Sequence, residues 1–124
     1  MILGIGTDII ELTRMERSLS KGEEFKRLVF SKEEITYCDS QGNSEASYSG
    51  RFAAKEALLK ALGTGWVGEM KLYDIVVLND DKGKPYFDLR GEVKNEANNK
   101  GAVSIHLSIS HSKNHATAVV IIEN

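Results

Sequence analysis

A chain of 124 residues with 41% hydrophobic and 27% charged content is long enough to bury one core and too apolar for a disordered chain. Its formal net charge of −2 excludes a chain-wide electrostatic footprint for nucleic acid or an anionic membrane. The single cysteine, Cys38, cannot form an intrachain disulfide, which fits a reducing, cytoplasmic setting. We expect one domain over 1–124, with no membrane and no nucleic-acid partner.

The start, Met1 to Asp8, has no basic segment and reaches an aspartate at once, unlike a signal peptide. Ile2 to Ile10 is apolar and β-branched, which predicts a strand with close backbone approach at Gly4 and Gly6. Asp8 within it must be paired, hydrated or metal-bound. Glu11 to Leu19 and Glu23 to Phe30 read as short helices. Ser31 followed by Glu34 is a capping box opening a third, on which Cys38 is a small filler. Gln41 to Ser44 is a loop. Ser44 or Ser47 to Leu62 is the strongest helix, rich in Ala, Leu, Lys and Glu and closed by Gly63. Leu72 to Leu78 and Pro85 to Leu89 read as a hairpin. Arg90 to Asn99 is helical, and Val103 to Ser110 and Ala116 to Ile122 are strands around a turn at His111 to Asn114. This order lacks regular βαβ alternation. It predicts an α+β fold with helices packed on one side of a largely antiparallel sheet.

The chemistry concentrates in Arg51 to Gly65. Arg51 and Lys55 are four apart, as are Glu56 and Lys60, so each pair is roughly 5–6 Å apart at Cβ. Spacing alone describes a solvated helix laced with ion pairs. Asp8 and Glu56 are nonetheless candidate ligands for Mg²⁺, which takes one or two protein carboxylates with phosphate and water oxygens. No Cys/His spacing suits zinc. Of the three histidines, His106 reads as structural, His111 ends a strand where it could meet a phosphate or ribose, and His115 has less motif around it. Trp66, Phe52 and Phe25 read as core or interface anchors, and Arg14 and Arg17 as solvent-facing.

Three segments taken together go further. They are Gly4-Ile5-Gly6-Thr7-Asp8-Ile9-Ile10-Glu11, Arg51-Phe52-Ala53-Ala54-Lys55-Glu56-Ala57 through Lys60 to Gly65, and Leu107-Ser108-Ile109-Ser110-His111-Ser112. With Phe30-Ser31-Lys32-Glu33-Glu34 and Gly83-Lys84-Pro85-Tyr86, their order and identity over the whole chain resemble the holo-acyl carrier protein synthases. These are the small bacterial branch of the 4′-phosphopantetheinyl transferases. The resemblance implies Mg²⁺-dependent transfer of 4′-phosphopantetheine from coenzyme A to a serine of apo-acyl carrier protein. Adenosine 3′,5′-bisphosphate would be released, in support of fatty acid biosynthesis. It implies catalytic roles for Asp8, Glu56 and Lys60, with Asp8 and Glu56 as metal ligands. It puts Arg51, Gly63, Gly65, Ser108, Ser110 and His111 in or near the coenzyme A pocket. Arg14, Arg17 and Phe25 would form the carrier-docking surface, and the assembly would be a homotrimer with shared sites. Glu56 or a metal-bound water is the preferred proton acceptor, with Glu34 a weaker candidate. Two other readings stay open: a Mg²⁺-dependent phosphohydrolase, and a non-catalytic module binding an acidic carrier or a nucleotide.

Overall fold

The computed structural model describes residues 1–65 and 68–124, so the expectation for Trp66 lies outside the described residues. Strand β1 (Ile2–Glu11) is followed by α1 (Leu12–Leu19), α2 (Glu23–Val29), α3 (Lys32–Asp39) and the long α4 (Ser44–Leu62). A 3-10 turn at Leu72–Asp74 leads into β2 (Ile75–Asn79) and β3 (Pro85–Leu89). Then come α5 (Gly91–Lys100), β4 (Ser104–His111) and β5 (His115–Glu123). Among the described residues the strands make two antiparallel sheets, β1-β5-β4 and the hairpin β2-β3. The α+β expectation holds, with the sheet divided in two.

Helix α4 is the centre of the core. Ala53, Ala54, Ala57 and Leu58 are fully buried, and Leu59, Ala61 and Leu62 nearly so. A helix apolar on most sides must be covered on most sides. Strand β1 covers one of them at backbone distance. A Cβ on Gly4 would run into the Ala61 carbonyl oxygen, and one on Gly6 into that of Ala57. The two glycines are thus required by close approach, as the sequence predicts.

The capping box of α3 is present: Glu34 N–H donates to Ser31 Oγ at 3.2 Å, and Ser31 N–H donates to Glu34 Oε1 at 2.9 Å. Two expectations need correction. Lys55 is not on a solvated face; it is fully buried. Its Nζ donates to Glu34 Oε1 at 2.7 Å and to the Leu72 and Ile75 carbonyls at 2.9 and 2.6 Å. That explains the second correction, the 3-10 turn where a strand from Leu72 was expected. In an extended strand, carbonyls three residues apart point opposite ways. They converge on one ammonium only if the chain turns.

Side chains of the three-stranded sheet alternate between α4 and the outside. Ile10, Ala116, Ala118, Val120 and Ile122 are buried. On the outer face Ile5 is 62% exposed, Ile9 64% and Val119 39%.

Candidate active site

Asp8 lies on the same side of β1 as Gly6 and Ile10, the side that faces α4. Because the glycines bring β1 against α4, Asp8 meets side chains one turn beyond Ala57. Lys60 Nζ donates to Asp8 Oδ1 at 3.1 Å and to the Thr7 carbonyl at 2.9 Å. Glu56 is half-buried and close enough for Asp8 to act on it. Burial first, and then the Asp8 charge, push the Glu56 carboxyl above the usual glutamate range. Lys60 and Arg14 pull the other way. Two carboxylates that repel each other, with a lysine alongside, suit a divalent cation whose remaining oxygens come from water and a phosphorylated ligand. Among the described residues no group of three or more His, Cys, Asp or Glu side chains could hold an ion unaided. That donor set fits Mg²⁺ and not structural zinc.

Arg51 belongs to a different place. At 100° per residue it lies about 180° around α4 from Lys60, and roughly 14 Å along the axis. Its guanidinium is buried and stacks on the Tyr37 ring, 4.2 Å from the centroid. Nη2 donates to Asn79 Oδ1 at 2.6 Å. His111 lines the same cavity as Arg51. Its Nε2 donates to the Ala46 carbonyl at 2.9 Å, and its ring packs so closely on α4 that a Cβ on Gly50 would lie 2.7 Å from Nε2. Tyr37, Asn43, Gly50, Arg51, Asn79 and His111 help line a cavity of about 350 Å³, with Gly83 and Pro85 of the hairpin at its wall.

The other candidates divide. Ser108 and Ser110 are exposed and alternate with Leu107 and Ile109, so they face away from the cavity that His111 lines. Gly63 and Gly65 have φ of +78° and +61°, with no heavy atom within 4 Å of where a Cβ would stand. Backbone conformation, not crowding, calls for glycine there. Arg14 and Arg17 are exposed on α1, directly after β1. Phe25 is half-buried, edge-on to Phe30 at 6.4 Å. Glu34 is withdrawn as a proton acceptor: it is fully buried, and its oxygens are taken by Ser31 N–H, Lys55 and Val77 N–H. His106 is exposed and lies 2.6 Å from Glu123.

Sequence reasoning missed Tyr37, Asn43, Gly50 and Asn79. Gly50 carried a signal, since a glycine inside a strong helix marks close approach. Asn79 read as a turn residue, and nothing marked Tyr37.

The chain belongs to the 4′-phosphopantetheinyl transferase superfamily, whose family model matches residues 4–120. It is 46% identical over 123 residues to the holo-[acyl-carrier-protein] synthase of Clostridium tetani, covering 99% of this chain and 97% of that protein. The fold superposes on the crystal structure of holo-[acyl-carrier-protein] synthase from Neisseria meningitidis with a TM-score of 0.92, at 34% identity and full coverage of both chains. A holo-(acyl-carrier-protein) synthase from Bacillus anthracis, solved in complex with CoA (3′,5′-ADP), matches with a TM-score of 0.80. It is 41% identical, over 98% of this chain and 96% of that one. The class is therefore that of the phosphopantetheinyl transferases.

Proposed function

We propose that this enzyme moves the 4′-phosphopantetheine group of coenzyme A onto a serine of apo-acyl carrier protein, with Mg²⁺, releasing adenosine 3′,5′-bisphosphate. The whole chain, 1–124, acts as one catalytic domain, and its work serves fatty acid biosynthesis in the cytoplasm. The observation that carries this reading is Lys60 on Asp8 Oδ1, with the half-buried Glu56 near enough for the Asp8 charge to raise its pKa. A docking module has no need of such a set.

Mg²⁺ held by Asp8 and Glu56 would neutralise diphosphate oxygens and make the phosphorus more electrophilic. Displacement at phosphorus otherwise needs positioning and charge stabilisation. Lys60 exchanges its Asp8 contact for a phosphate oxygen and follows the negative charge as it develops. The carrier serine Oγ bonds to the phosphorus that bears pantetheine. The bond from that phosphorus to the bridging oxygen breaks, and adenosine 3′,5′-bisphosphate leaves with the electron pair. The serine proton passes to Glu56 or to a water beside it.

Arg14 and Arg17, exposed on the helix next to this site, are the surface for an acidic carrier, with Phe25 as its apolar contact. The two halves of the proposed pocket lie on opposite sides of α4. A homotrimer that covers the open sheet face of Ile5, Ile9 and Val119 would let Arg51 and His111 of one subunit complete the site of the next.

Intact-mass analysis of apo-acyl carrier protein incubated with the enzyme, coenzyme A and Mg²⁺ tests the activity. A gain of one phosphopantetheine is expected. Free phosphopantetheine with an unchanged carrier would instead establish hydrolysis.

A further inference from the structure

Helix α4 buries two cations one turn apart, and only one has a carboxylate. Lys55 meets Glu34 at 2.7 Å. Arg51, 5% exposed, has no carboxylate within salt-bridge distance among the described residues. Burying a guanidinium without a counter-ion is costly. What holds it is neutral: the Tyr37 face and the Asn79 amide. Nε is sealed from solvent without a partner. Nη1 makes no hydrogen bond among the described residues.

The Asn79 amide orientation follows from its neighbours. Its Nδ2 donates to the Gly83 carbonyl at 2.9 Å, and its Oδ1 accepts from Arg51 at 2.6 Å. A guanidinium can only donate and a carbonyl can only accept, so the reverse orientation would fail on both sides. Asn79 thereby ties the turn after β2 to the guanidinium, and that turn is also cavity wall through Gly83. Arg51 is aimed before any ligand arrives, and no carboxylate pairs with it among the described residues.

We propose that Asn79 is a positioning residue for coenzyme A: it aims the Arg51 guanidinium at a phosphate group of the ligand and, being neutral, leaves the full charge to that phosphate. Tyr37 assists by covering the guanidinium face, which keeps the in-plane N–H groups for the anion. This rests on the coenzyme A reading above. It explains why an amide is needed here and a carboxylate is not. Aspartate has the same shape, but it would pair with Arg51, compete with the phosphate and set an oxygen against the Gly83 carbonyl.

The test is calorimetric binding of coenzyme A and of its 3′-dephospho form to wild type, Asn79→Asp and Asn79→Ala, with steady-state kinetics and Tm alongside. Losing a charge-assisted contact should weaken coenzyme A binding about tenfold or more in Asn79→Asp, with a smaller loss in Asn79→Ala. The KM for coenzyme A should rise while kcat and the KM for carrier hold, and Tm should fall modestly in both variants, because each loses the Gly83 hydrogen bond. If the loss disappears with the 3′-dephospho form, the 3′-phosphate is the group met; if it persists, the diphosphate is. Wild-type affinity in Asn79→Asp, or losses in both variants that follow a fall in Tm and strike both substrates, would overturn the proposal. A wild-type protein that binds no coenzyme A would instead remove the reading on which it rests.

Discussion

Lys55 and Glu34 meet at 2.7 Å with neither side chain exposed. The contact joins four elements, because Glu34 also accepts from Ser31 N–H and Val77 N–H while Lys55 holds the carbonyls of Leu72 and Ile75. Burial pushes the Lys55 ammonium below the usual lysine range, against the pull of Glu34.

Removing one partner strands the other charge in the core. Glu34→Ala should therefore cost about 3–5 kcal/mol of stability, measured by urea unfolding. The double variant Glu34→Gln/Lys55→Met removes both charges and should recover much of that loss. A double variant as unstable as the sum of the singles would mean that the two charges do not act as a pair.

Glu56 has its pKa raised by burial first and by Asp8 next. A carboxyl with a raised folded-state pKa stabilises the fold below its unfolded pKa, and that contribution is lost as pH rises through the folded value. At neutral pH, Glu56→Gln should thus raise Tm while abolishing transfer. In metal-free wild type, the Glu56 carboxyl should titrate above the usual glutamate range. Asp8→Asn removes one cause of the shift, so a carboxyl titration followed by NMR should move downward for Glu56. An unmoved titration would separate the two carboxylates. Mg²⁺ with coenzyme A should raise Tm more at neutral than at acidic pH, because protonating Glu56 removes a ligand.

Gly6 is where fold and site are most directly linked. Gly6→Ala places a methyl against the Ala57 carbonyl oxygen and must push β1 away from α4. Since β1 carries Asp8 and α4 carries Glu56, we expect loss of both stability and transfer. Gly63→Ala meets no neighbour and should cost only roughly 1–2 kcal/mol, from its left-handed backbone. Thermal melts of the two variants give the contrast.

Arg14→Glu should raise the KM for carrier protein far more than that for coenzyme A. In the metal-free protein it should also move the Glu56 titration upward, because Arg14 is one of the charges holding the Glu56 pKa down. Equal effects on both KM values would remove the docking role, and added salt should weaken carrier association in the wild type.

Ile9→Lys puts a charge on the open face of the three-stranded sheet, where Ile9 is 64% exposed. If that face is covered in a trimer, sedimentation should show dissociation with helix content intact and transfer lost. A wild-type protein that sediments as a monomer would end the shared-site reading.

Most elements were legible because they are announced locally; the turn at Leu72–Asp74, set by Lys55 from another element, was not. Ser31 and Glu34 make their box within one turn, and Gly63 closes α4 by its own backbone freedom. Gly4 and Gly6 declared a close approach, and Asp8 beside them had to be compensated. Partner identity across elements was not legible. Periodicity describes one helix at a time, so Lys55, Glu56 and Arg51 looked equivalent on a charged helix. Packing gave Lys55 to Glu34, brought Glu56 within range of the Asp8 charge and set Arg51 on the far side with Tyr37 and Asn79.

By itself the sequence determined the α+β element order and the family, and it singled out Asp8, Glu56 and Lys60 as candidates. Those rest on side-chain chemistry and short-range spacing. Only the tertiary structure decided that Ser108 and Ser110 turn away from His111, that Glu34 is structural, and that Arg51 to Gly65 serves two separate sides of one helix. The reason is geometric: a strand alternates its faces every residue and a helix turns 100° per residue, so which neighbour a side chain meets depends on how whole elements dock.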